Sequence, residues 1–135
     1  MIRLGLVLCL LASPLAAQVR YPDSGRVAEP ALSQLNALYR VDLEQGYCVT
    51  RWHVEQDSVV VDSIIRSPSV RGADWNYIIF DCPIGMPTLH THPSHWPLPS
   101  PTDVREGLID LKLPFIAVQS GPDAFAFAIT WGRIP

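Results

Sequence analysis

The sequence predicts a mixed α/β domain of the α+β kind, with about six strands and two helices. Three observations carry this. Runs of β-branched and aromatic residues recur at 47–53, 58–65, 75–81, 86–92, 114–119 and 124–131, with turn-forming residues between most of them. Residues 31–39 carry their leucines at helical spacing, and residues 102–111 follow a helix-start signal. The 135 residues allow one domain, and 48% hydrophobic against 17% charged content fits a folded core rather than a disordered tail.

Residues 1–17 stand outside that fold and read as a secretory signal peptide. Arg3 supplies a positive start, and the apolar run 4–12 is too short to cross a bilayer as a stable helix. Small residues at 13–17 suit signal peptidase, with cleavage expected near Ala17; Leu15 is not small, which leaves an uncleaved anchor as the rival reading. Cys9 follows Leu8 rather than a small residue, so a lipid-attachment signal is not formed. The expected location is secreted or periplasmic, with no membrane contact after cleavage.

Residues 18–30 are polar and hold Pro22, Gly25 and Pro30, which predicts a mobile lead-in before a domain over 31–135. Leu32, Leu35, Leu38 and Tyr39 then define one face of the first helix, opened by Glu29 and Pro30. The runs 47–53 and 58–65 make a hairpin, 67–74 a loop, 75–81 a third strand and 86–92 a fourth. Prolines at 93, 97, 99 and 101 forbid regular structure and stiffen the next loop. Ser100, Pro101 and Asp103 suit the N-cap, first and third positions of a second helix, 102–111. The last two strands flank Ser120-Gly121-Pro122-Asp123, a strong turn.

The net charge is −3, one unit more negative without Arg3, and there is no basic stripe of the kind nucleic acid requires. Outside the signal segment two cysteines remain, Cys48 and Cys82. In an oxidising compartment they are a disulfide candidate; two buried thiols on neighbouring strands are the equal alternative. Trp52, Trp75 and Trp131 are expected in the core, Trp96 either at a cleft or over apolar surface, and His53 in a structural role.

The chemistry is concentrated in residues 90–103, HTHPSHWPLPSPTD. His90 and His92 project from the same face of a strand, so both rings can reach one ion. Asp103, returned by the proline-rich loop, adds a carboxylate, and imidazole with carboxylate is the ligand chemistry of catalytic zinc. Ser100 to Asp103 is by itself also an ordinary helix cap; the joint pattern favours a metal site.

This arrangement, H-x-H followed by seven residues and S-x-x-D, resembles the motif of the JAMM (MPN+) metallopeptidases at every defining position. The resemblance extends over nearly all the exported chain in element order, but its specific residues are those of 90–103 and one upstream glutamate. It implies a curved, mostly antiparallel sheet flanked by helices, in the JAMM/MPN (cytidine-deaminase-like) architecture. It further implies Zn²⁺ held by His90, His92 and Asp103, with water as fourth ligand. Ser100 would donate to the oxyanion. The family's base is a glutamate at the entry to the first strand, where Glu44 stands four residues before Cys48, as in many bacterial members. The strand continues Val49-Thr50-Arg51, where the family often has leucine and glycine. Glu55, in a turn, is the weaker candidate. His95 belongs to the rim, since a fourth protein ligand would close the site to water.

The expected activity is hydrolysis of a peptide or isopeptide bond outside the cytoplasm, with a cell-wall peptide as a substrate suited to that compartment. The alternatives are a metal-binding or scaffolding domain without catalysis, and a hydrolase of a non-peptide amide.

Overall fold

The computed structural model describes residues 24–67, 70–71, 78–79, 81–93 and 96–135. In chain order the strands and helices are Gly25–Val27 (β1), Ala31–Leu38 (α1), Gly46–Glu55 (β2), Ser58–Arg66 (β3), Val70–Arg71 (β4), Ile78–Ile79 (β5), Thr88–Thr91 (β6), Pro101–Val104 (α2), Phe115–Gly121 (β7) and Ala124–Ile129 (β8). The signal segment, Trp75 and His95 lie outside the described residues.

Six strands form one sheet in the order β1-β3-β2-β6-β7-β8, and β4 pairs with β5 in a separate ribbon. β1 runs parallel to β3 and β6 parallel to β7, while β2–β3, β2–β6 and β7–β8 are antiparallel. The sheet is therefore mixed, which corrects the expectation of a mostly antiparallel one. The physical reason is connectivity. Between β6 and β7 a helical crossover returns the chain in the same direction. β1 and β3 run parallel because α1 leads into β2, opposed to both, and the β2–β3 hairpin turns the chain back. At the outer edges β1 meets β8, with Gly25 against the Phe127 ring, so the sheet nearly closes.

Three expectations about the elements change. Of the strand read over 75–81, the described residues are Ile78–Ile79, which stay out of the main sheet, and Asp81, which is in no strand. The segment read as a loop over 67–74 supplies their partner strand, Val70–Arg71. The sixth place is taken by β1, inside the segment read as a lead-in. Three residues are too few to announce themselves. They are held because Gly25, Arg26 and Val27 align with Val59, Val60 and Val61, all fully buried valines.

Alternation divides the core into two faces. Phe115 and Ala117 of β7, with Phe127 and Ile129 of β8, join Tyr47, Val49, Val59, Val61 and Leu89 on the inner face. α1 packs there through Ala31 and Leu35, one helical turn apart and fully buried. The Glu29 carboxylate accepts from the Ser33 N–H at 2.9 Å and its hydroxyl at 2.7 Å, satisfying donors of the first turn. Ile116 and Ala128 face the other way and meet Val104, Leu108 and Leu113. Trp52 packs edge-on to Phe115 at 5.1 Å as expected of a core aromatic, whereas Trp131 is 37% exposed, a correction, because it falls in a turn after β8 ends.

Candidate metal centre

The site sits on the outer face of β6. Thr88, Leu89, His90 and Thr91 alternate along the strand; Leu89 enters the inner core, so His90 points outward, towards the side that carries α2. β6 is flanked on both sides, by β2 in the register Gly46–His90 and by β7 in the register His90–Val118. A central strand this well paired gives the imidazoles a rigid base. His92, just past the strand end, is anchored through its N–H to the Gln119 carbonyl at 2.8 Å.

The proline-rich loop then returns the chain to α2. Ser100 is the N-cap: its hydroxyl accepts from the Asp103 N–H at 3.0 Å, and its own N–H donates to Asp103 Oδ2 at 2.8 Å. The two bonds form a capping box with Pro101 in the first turn. The cap thus aims the carboxylate as well as starting the helix. Beyond Val104 the helix widens to a π-helix over Arg105–Asp110, where a regular helix was expected. Gly107 explains the fit: a Cβ there would come 2.5 Å from Ile116 Cγ2, so only glycine lets this turn lie on β7.

The result is a triangle of donor atoms. His90 Nε2 to His92 Nε2 is 3.1 Å, His92 Nε2 to Asp103 Oδ2 is 3.1 Å, and His90 Nε2 to Asp103 Oδ2 is 3.2 Å. Ligands about 2.05 Å from a tetrahedral zinc stand about 3.3 Å apart, so three protein donors already have nearly the required separation. Among the described residues no other group of His, Cys, Asp and Glu converges in this way. His90 and His92 are buried and Asp103 is half-buried. His92 Nδ1 lies 2.9 Å from the Trp96 carbonyl, which can only accept, so Nδ1 holds the proton and Nε2 of the neutral ring presents its lone pair. Together these features let the group hold a metal ion.

The electrostatics match this arrangement. Burial alone would push the Asp103 carboxyl up, but the imidazoles of His90 and His92 and the Ser100 N–H outweigh it and hold the carboxyl far below its usual range. For His92 burial works downward, and the Asp103 carboxylate and Trp96 carbonyl carry the net shift upward. Glu44 is half-buried just before β2. Burial raises its carboxyl above the usual range, opposed by His90 and His92 and reinforced by Asp103. Its carboxyl feels the charges of all three donors, so Glu44 lies within electrostatic range of the triangle. Glu55 is elsewhere, paired with Arg26 and His53 at the far end of β2.

Two contributors escaped the sequence reading. The Tyr39 hydroxyl donates to the carbonyls of Ser120 at 3.0 Å and His92 at 3.3 Å, tying the end of α1 to the ligand strand. Thr91, fully buried, bonds to the segment around Glu44. A polar β-branched residue on the inward face of an apolar strand was the signal for Thr91; for Tyr39 there was none, since its leucine-like spacing hid its hydroxyl.

Cys48 and Cys82 are joined in a disulfide, with Cα atoms 5.6 Å apart, which decides between the two readings of the pair. It links β2, two residues past Gly46, to the loop that leads into β6. A narrow cavity of about 60 Å³ runs from His90 and Asp103 between α2 and the strands, walled by Leu111, Leu113 and Ile116.

Set against known proteins, the chain matches no family model, no curated protein and no solved structure.

Proposed function

We propose that this protein is a zinc-dependent amide hydrolase of JAMM type, cleaving a peptide or isopeptide bond outside the cytoplasm. The observation that carries the proposal is the donor triangle of His90, His92 and Asp103, with the Glu44 carboxylate in its electrostatic range. Two imidazoles and one carboxylate leave a fourth corner for water, the pattern of catalytic rather than structural zinc. The mixed-sheet order and helix placement are compatible with the JAMM/MPN architecture, and the motif spacing favours it.

Zinc, when bound, supplies a Lewis acid and brings the pKa of a coordinated water to roughly 7. Glu44 takes up the proton released during attack on the amide and returns it to the leaving nitrogen. The Ser100 hydroxyl oxygen accepts from the Asp103 N–H, which leaves its proton to donate to the carbonyl oxygen as that atom gains charge. Capping and catalysis therefore use different parts of one side chain. His92 is kept in the right tautomer by the Trp96 carbonyl, and Asp103 is kept ionised by its neighbours.

A wall peptide is the substrate class best suited to an exported enzyme with no basic stripe. The test is elemental analysis of the dialysed protein beside Asp103→Ala, followed by mass-spectrometric screening of wall cross-link peptides. One zinc per chain, lost in Asp103→Ala, with cleavage of an amide in the parent, is the expected result. A folded parent that takes up no zinc when it is supplied would overturn the proposal and favour a scaffolding domain.

A further inference from the structure

Thr91 stands between two candidate ligands, yet its side chain turns to the opposite face of β6 and is fully buried. There its hydroxyl serves a different strand entry. Thr91 Oγ1 accepts from the Gln45 N–H at 2.8 Å and donates to the Leu43 carbonyl at 3.3 Å. The Thr91 N–H also donates to the Gln45 carbonyl, at 2.9 Å. Three hydrogen bonds from one residue thus bracket Glu44 on both sides. Residues 43–45 belong to no strand or helix, so the ladder that begins at Gly46 does not hold them.

The geometry points to Thr91 as a positioning residue that sets the Glu44 carboxylate against the His90–His92–Asp103 triangle. This rests on the assignment of Glu44 as the base. Ligand spacing and base placement then come from one strand: the outward residues His90 and His92 carry the ligands, and the inward residue between them carries the base segment. Rigid placement matters because a proton acceptor works only within hydrogen-bond reach. The β-branch of threonine also limits the hydroxyl to few rotamers. Valine in its place has nearly the same shape and retains the backbone bond, but loses both side-chain bonds. Serine retains both.

Cobalt(II)-loaded protein with acetohydroxamic acid as the probe tests this without a substrate. The probe chelates the ion as an anion and hands its proton to an adjacent carboxylate, so its affinity reads where Glu44 stands; cobalt's visible absorption reports binding. Thr91→Val is expected to retain cobalt affinity while acetohydroxamate affinity falls about 10-fold, the loss of a hydrogen bond's net worth. Glu44→Gln should fall at least as far, and Thr91→Ser should match the parent. Parent-like affinity for the probe in Thr91→Val would overturn the inference. So would a loss in folded Thr91→Ser as large as in Glu44→Gln, which makes serine decisive if the valine variant does not fold. Amide hydrogen exchange of Gln45 reads the link independently of any metal: protection in the parent and in Thr91→Ser is expected, and free exchange in the folded parent would overturn it. If Gln45 is protected but Glu44→Gln binds the probe as the parent does, the base assignment fails instead.

Discussion

Gly46 and His90 are register partners where β2 and β6 run antiparallel, and this pairing brings a ligand to the strand that the candidate base precedes. Partners across an antiparallel ladder project to the same face, as do residues two apart on an extended chain. Glu44 stands two residues before Gly46, at the entry to the strand paired with His90. The Glu44 carboxyl accordingly feels the charges of His90, His92 and Asp103.

Ligand and base should separate by mutation. His92→Ala is expected to lose metal and hydrolysis together. Glu44→Gln should retain one metal per chain and lose turnover by about 100-fold or more. Metal analysis and rate measurement on the same preparations check this, and an active Glu44→Gln would remove the base assignment.

Ser100→Ala should do two measurable things. Losing the capping side chain costs about 1 kcal/mol of stability, seen as a thermal midpoint lower by roughly 4–8 °C. Losing the hydroxyl donor should lower turnover by about 100-fold. Ser100→Asn retains a cap, so it should recover stability without recovering turnover; recovery of both would assign Ser100 to capping alone.

Gly107→Ala forces a Cβ to 2.5 Å from Ile116 Cγ2. Overpacking of this kind costs about 1–3 kcal/mol. The strain lies one turn after Asp103, so metal affinity should fall as well. Denaturant unfolding of Gly107→Ala, Ile116→Ala and the double variant should show the double costing less than the sum. Simple additivity would mean the contact is not the cause.

The Cys48–Cys82 disulfide bridges 34 positions of sequence, and opening it should destabilise the fold by roughly 2–4 kcal/mol. Thermal unfolding with and without a reductant measures this; an unchanged midpoint after confirmed reduction would show that the strand pairing alone holds this region.

His53 predicts a pH dependence remote from the site. Its Nδ1 is 2.6 Å from Asp62 Oδ2, and hydrogen bonds to Asp62 and then Glu55 raise its pKa above the ordinary 6.5. A raised folded-state pKa means stability present below about 6.5 and lost as pH climbs through the higher folded value. The thermal midpoint should decline over that window, and His53→Gln should flatten the decline. An identical pH profile in the variant would assign the decline to other groups.

The site was legible in the sequence because its determinants are local. The period of a strand puts His90 and His92 on one face, and the chemistry of a helix start places the Asp103 carboxylate at the cap, whatever lies elsewhere. Helix and strand identities follow likewise from side-chain spacing: 31–39 was read within one residue of Ala31–Leu38, and β2, β3, β7 and β8 fell where β-branched runs lie. What escaped has no local signature. β1 exists because three buried valines of β3 offer it an edge, and its parallel pairing follows from the β2–β3 hairpin, while that of β6 and β7 follows from the helix between them.

By itself the sequence determined which side chains could hold a metal ion, His90, His92 and Asp103, since ligand type and spacing are properties of a few neighbouring residues. Only the tertiary structure decided what meets: Gly46 paired with His90, Thr91 bonded to Gln45, Cys48 bonded to Cys82, Gly107 against Ile116. Each of these joins positions far apart along the chain or on different elements. Their approach depends on strand register and helix packing, which the whole core sets and no local pattern encodes.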